Sequence, residues 1–224
     1  MQRTFHNYLG DVELEVKDAP GCRLYKLPND EWVPSITSVT SHYNKEKFIE
    51  WRRKVGDEEA DRITKKATTR GTDFHEAAQT YLEQKDIIWS EHLPATQYMF
   101  HHAKPFLDKI NNIHAIERTL YSEFFGIAGR VDCIGEYDGE LAVIDFKTSE
   151  RIKPEAWLEN YFVQETAYAC MYYEMTGVPV KKLITIMTTS SGEVKVFDKR
   201  NKDEYIKLLV KYIKKFVTDK LANE

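Results

Sequence analysis

The segments Gly-Arg-Val-Asp at residues 129–132 and Ile-Asp-Phe-Lys at residues 144–147 decide how this chain is expected to fold. Polar and apolar residues alternate in both, which is typical of β-strands whose successive side chains project from opposite faces. The connection between them contains Asp138-Gly139, a dipeptide that favours a tight antiparallel hairpin. Folding of this hairpin is expected to bring Asp132 close to Asp145.

Two neighbouring carboxylates on the hairpin indicate a cation site. They repel each other unless a cation lies between them, and carboxylate oxygens suit Mg²⁺ or Mn²⁺. Lys147 projects from the same face as Asp145 and could stabilise negative charge that develops on a phosphate. Taken alone, the alternation is better explained by an ordinary solvated hairpin face with an Asp–Lys pair, so the flanking sequence has to distinguish the two interpretations.

Three further motifs accompany the hairpin. They are Pro34-Ser35-Ile36-Thr37-Ser38-Val39-Thr40, Arg70-Gly71-Thr72-Asp73-Phe74-His75-Glu76 and Gln164-Glu165-Thr166-Ala167-Tyr168. Taken with Asp132 and the Asp-Phe-Lys triplet, they resemble in type and order the motifs of the PD-(D/E)XK nuclease superfamily. The similarity is to the branch of recombination-type and phage exonucleases that includes the mitochondrial genome maintenance exonuclease, and it covers residues 24–200.

The resemblance implies the composition of the metal site. Asp132, Asp145, His75 and the backbone carbonyl of Phe146 are expected to hold one or two Mg²⁺ or Mn²⁺ ions. Glu117, on the strand before the hairpin, could also reach the site, and a role as metal ligand is about as well supported as an ordinary strand position.

The resemblance also implies roles for residues beside the metal. Lys147 is expected to orient the attacking water or to stabilise the transition state. Gln164 and Tyr168 are four residues apart, on one face of a helix, and are expected to position Lys147 or DNA. Plain helix packing also explains Tyr168.

Two features depart from relatives of this kind. No proline precedes Asp132, where Arg130-Val131 stands instead. Some relatives carry four cysteines around the core, whereas this chain has only Cys22, Cys133 and Cys170, so a four-thiolate iron–sulfur cluster cannot be built from one chain.

The resemblance and the hydrophobic pattern together predict an α/β fold. The expected core is restriction-endonuclease-like, with the order α-β-β-β-α-β, a mixed sheet flanked by helices and an N-terminal helical extension. Short strands are expected within residues 11–33. Helices are expected at 45–55, 57–67, 70–84, 94–111, 154–176 and 201–220, with Thr72 or a preceding threonine capping the third. Strands are expected at 114–122, 126–136, 140–148, 181–189 and 193–198.

Length and composition favour one nuclease domain over residues 1–224. Within it, we expect N-terminal strands and a basic-aromatic region at 1–70, the core at 71–200 and a C-terminal helix at 201–224. No apolar run of membrane-spanning length and no targeting segment are visible. The three scattered cysteines suit a reducing compartment, so a cytoplasmic location is expected.

The net charge of −4 requires a local basic surface if the partner is DNA. Basic and aromatic residues are interleaved before residue 71, as in surfaces that stack on unpaired bases, although an amphipathic helix with its aromatic residues in the core fits the same pattern. Arg130, beside Asp132, could contact a phosphate. The predicted DNA-binding residues are Tyr43, Trp51, Arg52, Arg53, Lys65, Lys66, Arg70 and Arg130.

These inferences predict a metal-dependent deoxyribonuclease. An exonuclease that prefers single-stranded ends, acting in DNA recombination, repair or replication, is the favoured form. A structure- or sequence-specific endonuclease has the same core and remains an alternative. A DNA-binding recombination accessory that does not cut is a third possibility, against which the intact set of Asp132, Asp145 and Lys147 argues.

Overall fold

The computed structural model describes residues 2–200 and 202–222, with the backbone alone at Lys202. The chain begins with an antiparallel sheet of three short strands, β1 (Val16–Ala19), β2 (Cys22–Lys26) and β3 (Trp32–Pro34). Four helices follow: α1 (Ile36–Tyr43), α2 (Lys45–Val55), α3 (Asp57–Leu82) and α4 (Pro94–Leu107). A short 3₁₀ turn at Trp89–Glu91 precedes α4.

A five-stranded mixed sheet forms the centre of the protein. Its strands are β4 (Ile110–Ser122), β5 (Ile127–Tyr137), β6 (Glu140–Ser149), β7 (Lys182–Thr189) and β8 (Val194–Lys199), in this spatial order. β6 and β7 are parallel, and the other neighbours are antiparallel. Their parallel connection runs through a 3₁₀ turn at Glu155–Trp157 and helix α5 (Glu159–Thr176). Helix α6 (Lys202–Leu221) ends the described chain.

Helices cover both faces of the sheet because successive strand residues are apolar on both sides. Ile144 and Phe146 of β6 pack in a cluster with Phe74 of α3 and Met99 of α4. Val143 belongs to a second cluster with residues of α1, α5 and α6. Asp145 lies on the same face of β6 as Val143, because side chains alternate along a strand. It therefore projects toward α5.

The predicted fold class and the hairpin are confirmed. β5 and β6 pair antiparallel, with Cys133 opposite Ile144 and Tyr137 opposite Glu140. Asp138 and Gly139 have φ values of 51° and 79°, the left-handed conformations of a type I′ turn. The predicted end of α5 is also correct, since Gly177 caps it with a φ of 72°.

Several predicted element boundaries were wrong. Residues 57–67 and 70–84 form one continuous helix, α3, so Thr72 lies inside it and caps nothing. The helix continues past Gly71 because its second half buries Phe74 and Leu82 in the core, and such packing outweighs the roughly 1 kcal/mol that an internal glycine costs. The helix predicted for 94–111 ends at Leu107, because β4 already begins at Ile110.

Two further differences concern segments before helices. The Pro-Ser-Ile-Thr segment contains a helix start that was not predicted: Ser35 caps α1 by accepting a hydrogen bond from the Ser38 backbone N–H. The helix predicted from residue 154 starts at Glu159, since Pro154 has an extended ψ of 141°. Among the described residues, no helix is both long and apolar enough to cross a membrane.

Candidate active site

Three carboxylates lie side by side on β4, β5 and β6. Glu117 falls between Ile116 and Arg118, which pair with Cys133 and Val131, so Glu117 is opposite Asp132. Continuing the β5–β6 register one residue beyond Cys133 and Ile144 places Asp132 opposite Asp145. The Phe146 backbone N–H of β6 donates a hydrogen bond to Asp132 Oδ2 of β5 at 2.8 Å, which links the two strands at this point. The hairpin thus produces the acidic pair that the sequence predicted.

Glu117 has an unusual backbone conformation. Its φ is 48° within a strand, a left-handed value that is costly for a residue other than glycine and is found disproportionately at functional sites. Arg130 Nε lies 2.9 Å from both the Glu117 carbonyl oxygen and its carboxylate Oε2. This contact fixes the Glu117 side chain toward the cleft.

His75 of α3 completes a group of potential ligands with Glu117 and Asp132. Its Nε2 donates a hydrogen bond to the Phe146 carbonyl at 2.7 Å. Its Nδ1 lies 3.5 Å from Asp132 Oδ2 and 3.8 Å from Glu117 Oε1. One ligand atom from each of the three residues lies within 4.8 Å of the others, and carboxylate oxygens with one imidazole nitrogen suit Mg²⁺ or Mn²⁺.

The electrostatics of His75 reflect the same arrangement. Burial favours its neutral form, but the carboxylates of Asp132 and Glu117 outweigh burial and raise the pKa of His75 to about 9. A positive charge is therefore stabilised at this position. Because a metal ligand must be deprotonated, a cation here would take the place of the His75 proton.

Asp145 and Lys147 form an ion pair next to this group. The Lys147 ammonium donates to Asp145 Oδ1 at 2.7 Å and lies 2.5 Å from Oδ2, which accepts no hydrogen bond of good geometry. Burial lowers the pKa of Lys147, but the charges of Asp145 and Asp132 outweigh it, so the net shift is upward. Burial raises the pKa of Asp145 to about 6, against the opposing effect of Lys147. Among the described residues, Oδ2 contacts only the Lys147 charge and is an oxygen that a cation could share.

Helix α5 supports Asp145 from the buried side of the sheet. Gln164 Nε2 donates to Asp145 Oδ1 at 3.4 Å. Tyr168 is 2% exposed and packs so tightly against Gly129 that a Cβ there would lie 3.0 Å from its ring. Gly129 of the hairpin is thus required by the contact with Tyr168, and Tyr168 lies beneath the strand, away from the cleft.

Glu165 is a buried acid that the sequence interpretation missed. It is fully buried, and one oxygen accepts a hydrogen bond from the Thr185 hydroxyl, whereas the other has no partner among the described residues. Burial, reinforced by Asp145, raises the pKa of Glu165 well above its usual value. Its position inside the Gln-x-x-x-Tyr motif was the only sequence signal for a role of Glu165. Helical periodicity did not indicate its burial, because it does not show that both faces of α5 are covered.

A cleft of about 380 Å³ opens in front of the three possible ligands. Its walls come from α3 on one side and from β4 and β5 on the other. The lining residues are Gly71, Thr72, His75, Glu76, Gln79, Glu117, Arg130 and Asp132. Arg130 lies on this wall with its side chain 58% exposed, so it can contact a phosphate that enters the cleft while still holding Glu117.

The predicted DNA-binding residues do not form one surface. Arg70 is buried and binds Glu150, Thr148 and Ser190, so its assignment to a DNA-contacting surface is corrected: it attaches α3 to β6. One face of the Tyr43 ring is unavailable to a DNA base, because it stacks on Tyr212 with ring centroids 3.6 Å apart.

Of the other predicted DNA-binding basic residues before residue 71, two are paired with carboxylates and two are not. Arg52 is paired with Asp57 and Asp61, and Lys66 with Glu150. Arg53 and Lys65 are exposed and have no ion-pair partner within the described chain. They belong to a projecting helical arm, which consists of α2 and residues 57–69 of α3. In the arm Ala60 alone is buried.

The aromatic residues of the arm are not core residues. Phe48 is 46% exposed and lies against the half-exposed Trp51, with ring centroids 5.5 Å apart. The alternative interpretation, in which both pack in the core, is therefore wrong for Phe48. An exposed aromatic pair on a basic helix is a surface suited to unpaired bases.

A second group of possible ligands, Asp73, Glu76 and His92, is better explained as structural. Asp73 accepts hydrogen bonds from His92 Nδ1 and from the Leu93 backbone N–H, both at 2.9 Å. Leu93 is the N-cap residue of α4. Asp73 therefore ties the start of α4 to α3.

Comparisons with known proteins identify a family for this chain. A sequence model of the PD-(D/E)XK nuclease superfamily matches residues 44–223. The mitochondrial genome maintenance exonuclease 1 of Mus musculus is 30% identical over 131 residues, which are 54% of this chain and 38% of the mouse protein. Its Homo sapiens counterpart is 27% identical over 144 residues, 60% of this chain and 40% of the human protein. The chain thus spans well under half the length of these relatives.

Solved structures show the same fold at low sequence identity. A crystallised protein of Eubacterium rectale, provisionally assigned as an exonuclease, superposes with a TM-score of 0.50 at 13% identity. The match covers 68% of this chain and 66% of that one. At this identity the likeness supports the fold alone.

Proposed function

The chain belongs to the PD-(D/E)XK nuclease superfamily, and on that premise we propose that it is a metal-dependent deoxyribonuclease. The observation that carries this proposal is the placement of His75, Glu117 and Asp132 around one cleft, beside the Asp145–Lys147 pair. We assign the hydrolysis of DNA phosphodiester bonds to this cleft.

The proposed metal ligands are His75 Nδ1, Glu117, Asp132 and Asp145, with the Phe146 carbonyl as a further donor. This carbonyl already accepts from His75, but a carbonyl oxygen has two lone pairs and can serve both. A bound Mg²⁺ or Mn²⁺ supplies a water of lowered pKa and neutralises charge on the scissile phosphate. One or two ions fit this donor set.

The other site residues act on the substrate and on one another. Lys147 is positively charged and can stabilise charge that develops on the phosphate or hold the attacking water. Gln164 restrains the Asp145 carboxylate from behind. Tyr168 supports the Gly129 backbone and thereby the position of Asp132. Arg130 can bind a phosphate at the cleft wall.

We further propose that the enzyme is an exonuclease that prefers single-stranded ends. The exonuclease names of the mouse and human relatives support this, as does the helical arm beside the cleft. Arg53, Lys65 and the Phe48–Trp51 pair suit an unpaired strand more than a duplex, because stacking requires an exposed base face. A role in recombination, repair or replication and a cytoplasmic location belong to the same proposal.

A time course on internally labelled DNA tests the proposal. Linear single strands should shorten progressively in Mg²⁺ or Mn²⁺ and remain intact in EDTA, while blunt duplex should be cut more slowly. Circular single strands should resist. Rapid cutting of the circle would replace the exonuclease proposal by an endonuclease, and lack of cutting of every substrate in both metals would contradict nuclease activity.

A further inference from the structure

The loop between β6 and α5, residues 150–158, directly follows the strand that carries Asp145 and Lys147. Its residue Trp157 is 64% exposed, a large apolar surface that contributes little to the folded core. Its basic residues Arg151 and Lys153 have no carboxylate partner within ion-pair distance in the described chain. The β6–α5 loop therefore presents cationic and aromatic groups together.

The acidic residues of the loop do not cancel this charge, because each is bound elsewhere. Glu150 pairs with Arg70 and lies 3.3 Å from Lys66. Glu155 is paired with Lys199 of β8. The positive charges of Arg151 and Lys153 are thus not neutralised by the acidic residues of the loop.

The loop is held in place by apolar contacts. Leu158 is fully buried and packs with Phe162, Met187 and Phe197, and Ile152 lies against the same cluster. Trp157 projects next to this anchor residue. An exposed aromatic ring on an anchored segment loses little conformational freedom when it binds a partner.

Tyr161 connects the loop to the active site. Its ring centroid is 5.1 Å from the Lys147 ammonium and 5.4 Å from the Lys153 ammonium. Lys153 also donates a hydrogen bond to the Tyr161 hydroxyl at 2.9 Å. Both the lysine of the proposed reaction centre and a second lysine therefore lie beside one tyrosine ring.

We propose that the β6–α5 loop is a second binding subsite for single-stranded DNA, in which Lys153 binds a phosphate beyond the scissile one and Trp157 stacks on an unpaired base. Arg151 adds to the positive charge. The subsite begins beside the helical arm, because Lys66 of the arm contacts Glu150, so one strand can touch both. This inference rests on the proposed nuclease function and adds to it the element that holds the strand on the Lys147 side.

Equilibrium binding in an Asp145→Asn background tests the subsite without cleavage. Fluorescence anisotropy would measure the affinity for labelled oligothymidylates of increasing length. Trp157→Ala should weaken binding about fivefold or more, the low end for losing one stacked base. Lys153→Gln should reduce the magnitude of the slope of log K against log salt concentration by about 0.7, the value for one phosphate contact to a single strand.

Lys17 and Trp32 provide a matched control. The Lys17 ammonium lies 3.7 Å from the centroid of the Trp32 ring on the N-terminal sheet, away from the cleft-lining residues. Lys17→Gln and Trp32→Ala should bind DNA as the background does. In the active enzyme, Trp157→Ala should raise KM for single strands while kcat stays the same.

The outcomes separate the subsite from the proposed function. If the wild type cleaves single strands but the Trp157 and Lys153 variants behave like the Lys17 and Trp32 controls, the subsite is overturned and the nuclease proposal stands. If the wild type does not cleave and the background does not bind single strands, both fail. Because Trp157 is exposed, unchanged thermal unfolding should confirm that its variant is folded.

Discussion

Helices α3 and α5 both serve the same site, but from opposite faces of the sheet and in different environments. α3 brings His75 to an open cleft, and half of this helix continues into the exposed arm. α5 is buried along most of its length, including Gln164, Glu165 and Tyr168. Residues of α3 can therefore meet a metal ion or DNA directly, whereas those of α5 act by fixing the strands that carry the carboxylates.

The largest effect is expected at Asp145, the proposed metal ligand that α5 holds in place through Gln164. Asp145→Asn removes one charged ligand while the Gln164 contact and the surrounding core remain, so cleavage should be abolished and the fold retained. Relief of repulsion from Asp132 offsets part of the lost pairing with Lys147. Nuclease assays at matched circular dichroism signals would check this. Strong Mg²⁺-dependent cleavage by the folded variant would show that Asp145 is not part of the site.

Lys147→Ala should slow the chemical step by about 10²-fold or more, the scale for losing one preorganised electrostatic contact. All proposed metal ligands remain, so calorimetry should find Mn²⁺ affinity retained. Lys153→Ala is the comparison, because this lysine contacts the Tyr161 hydroxyl and not Asp145, and should affect substrate binding instead. Loss of metal affinity together with activity would mean that Lys147 is structural.

A pair of variants tests the contrast between the two helices directly. His75→Ala on α3 should weaken Mn²⁺ binding and activity with little loss of stability, because this side chain lines an open cleft. Tyr168→Ala on α5 should lower the free energy of unfolding by about 3–5 kcal/mol, as for other large buried aromatic side chains. Calorimetric metal titration and urea unfolding would measure the two effects. If both variants lose metal affinity, or both lose stability, α3 and α5 do not differ in role as proposed.

The smallest effect concerns the pH dependence of stability through Glu165. Burial raises the pKa of Glu165 in the folded protein above its unfolded value, so the folded state binds the proton more tightly. Its stabilising contribution is therefore complete below the unfolded pKa and is lost as pH rises toward the folded pKa. Glu165→Gln, which cannot ionise, should lose less stability over that range. Urea unfolding at several pH values would check this. If the free energy of unfolding changes with pH equally in the wild type and in Glu165→Gln, Glu165 is not a neutral buried acid.

The elements predicted best from the sequence were those specified by local signals. Asp138-Gly139 specified the turn, and the alternation around Asp145 specified which side chains share a face. Gly177 specified the end of α5. These signals depend on backbone geometry within a few residues, so they can be recognised in the sequence without knowledge of the rest of the fold.

The missed features depend on contacts between segments distant in sequence. Arg70 was interpreted as a DNA contact because its neighbours are basic, but Glu150 and Ser190 bury it. α3 was divided at residues 68–69, since the packing of Phe74 against β6 is not visible locally. That Lys153 has no carboxylate partner among the described residues became apparent only when Glu150 and Glu155 were found to be paired with other residues.

The sequence by itself determined the hairpin, the order of the motifs and the kind of chemistry that Asp132, Asp145 and Lys147 can perform, because side-chain type and strand periodicity are local properties. The tertiary structure alone decided that Glu117 joins His75 and Asp132, that Asp145 is held by Lys147 and Gln164, and which basic side chains of the described chain lack a carboxylate partner. The physical reason is that coordination, burial and ion pairing depend on distances between segments that the sheet and its flanking helices bring together.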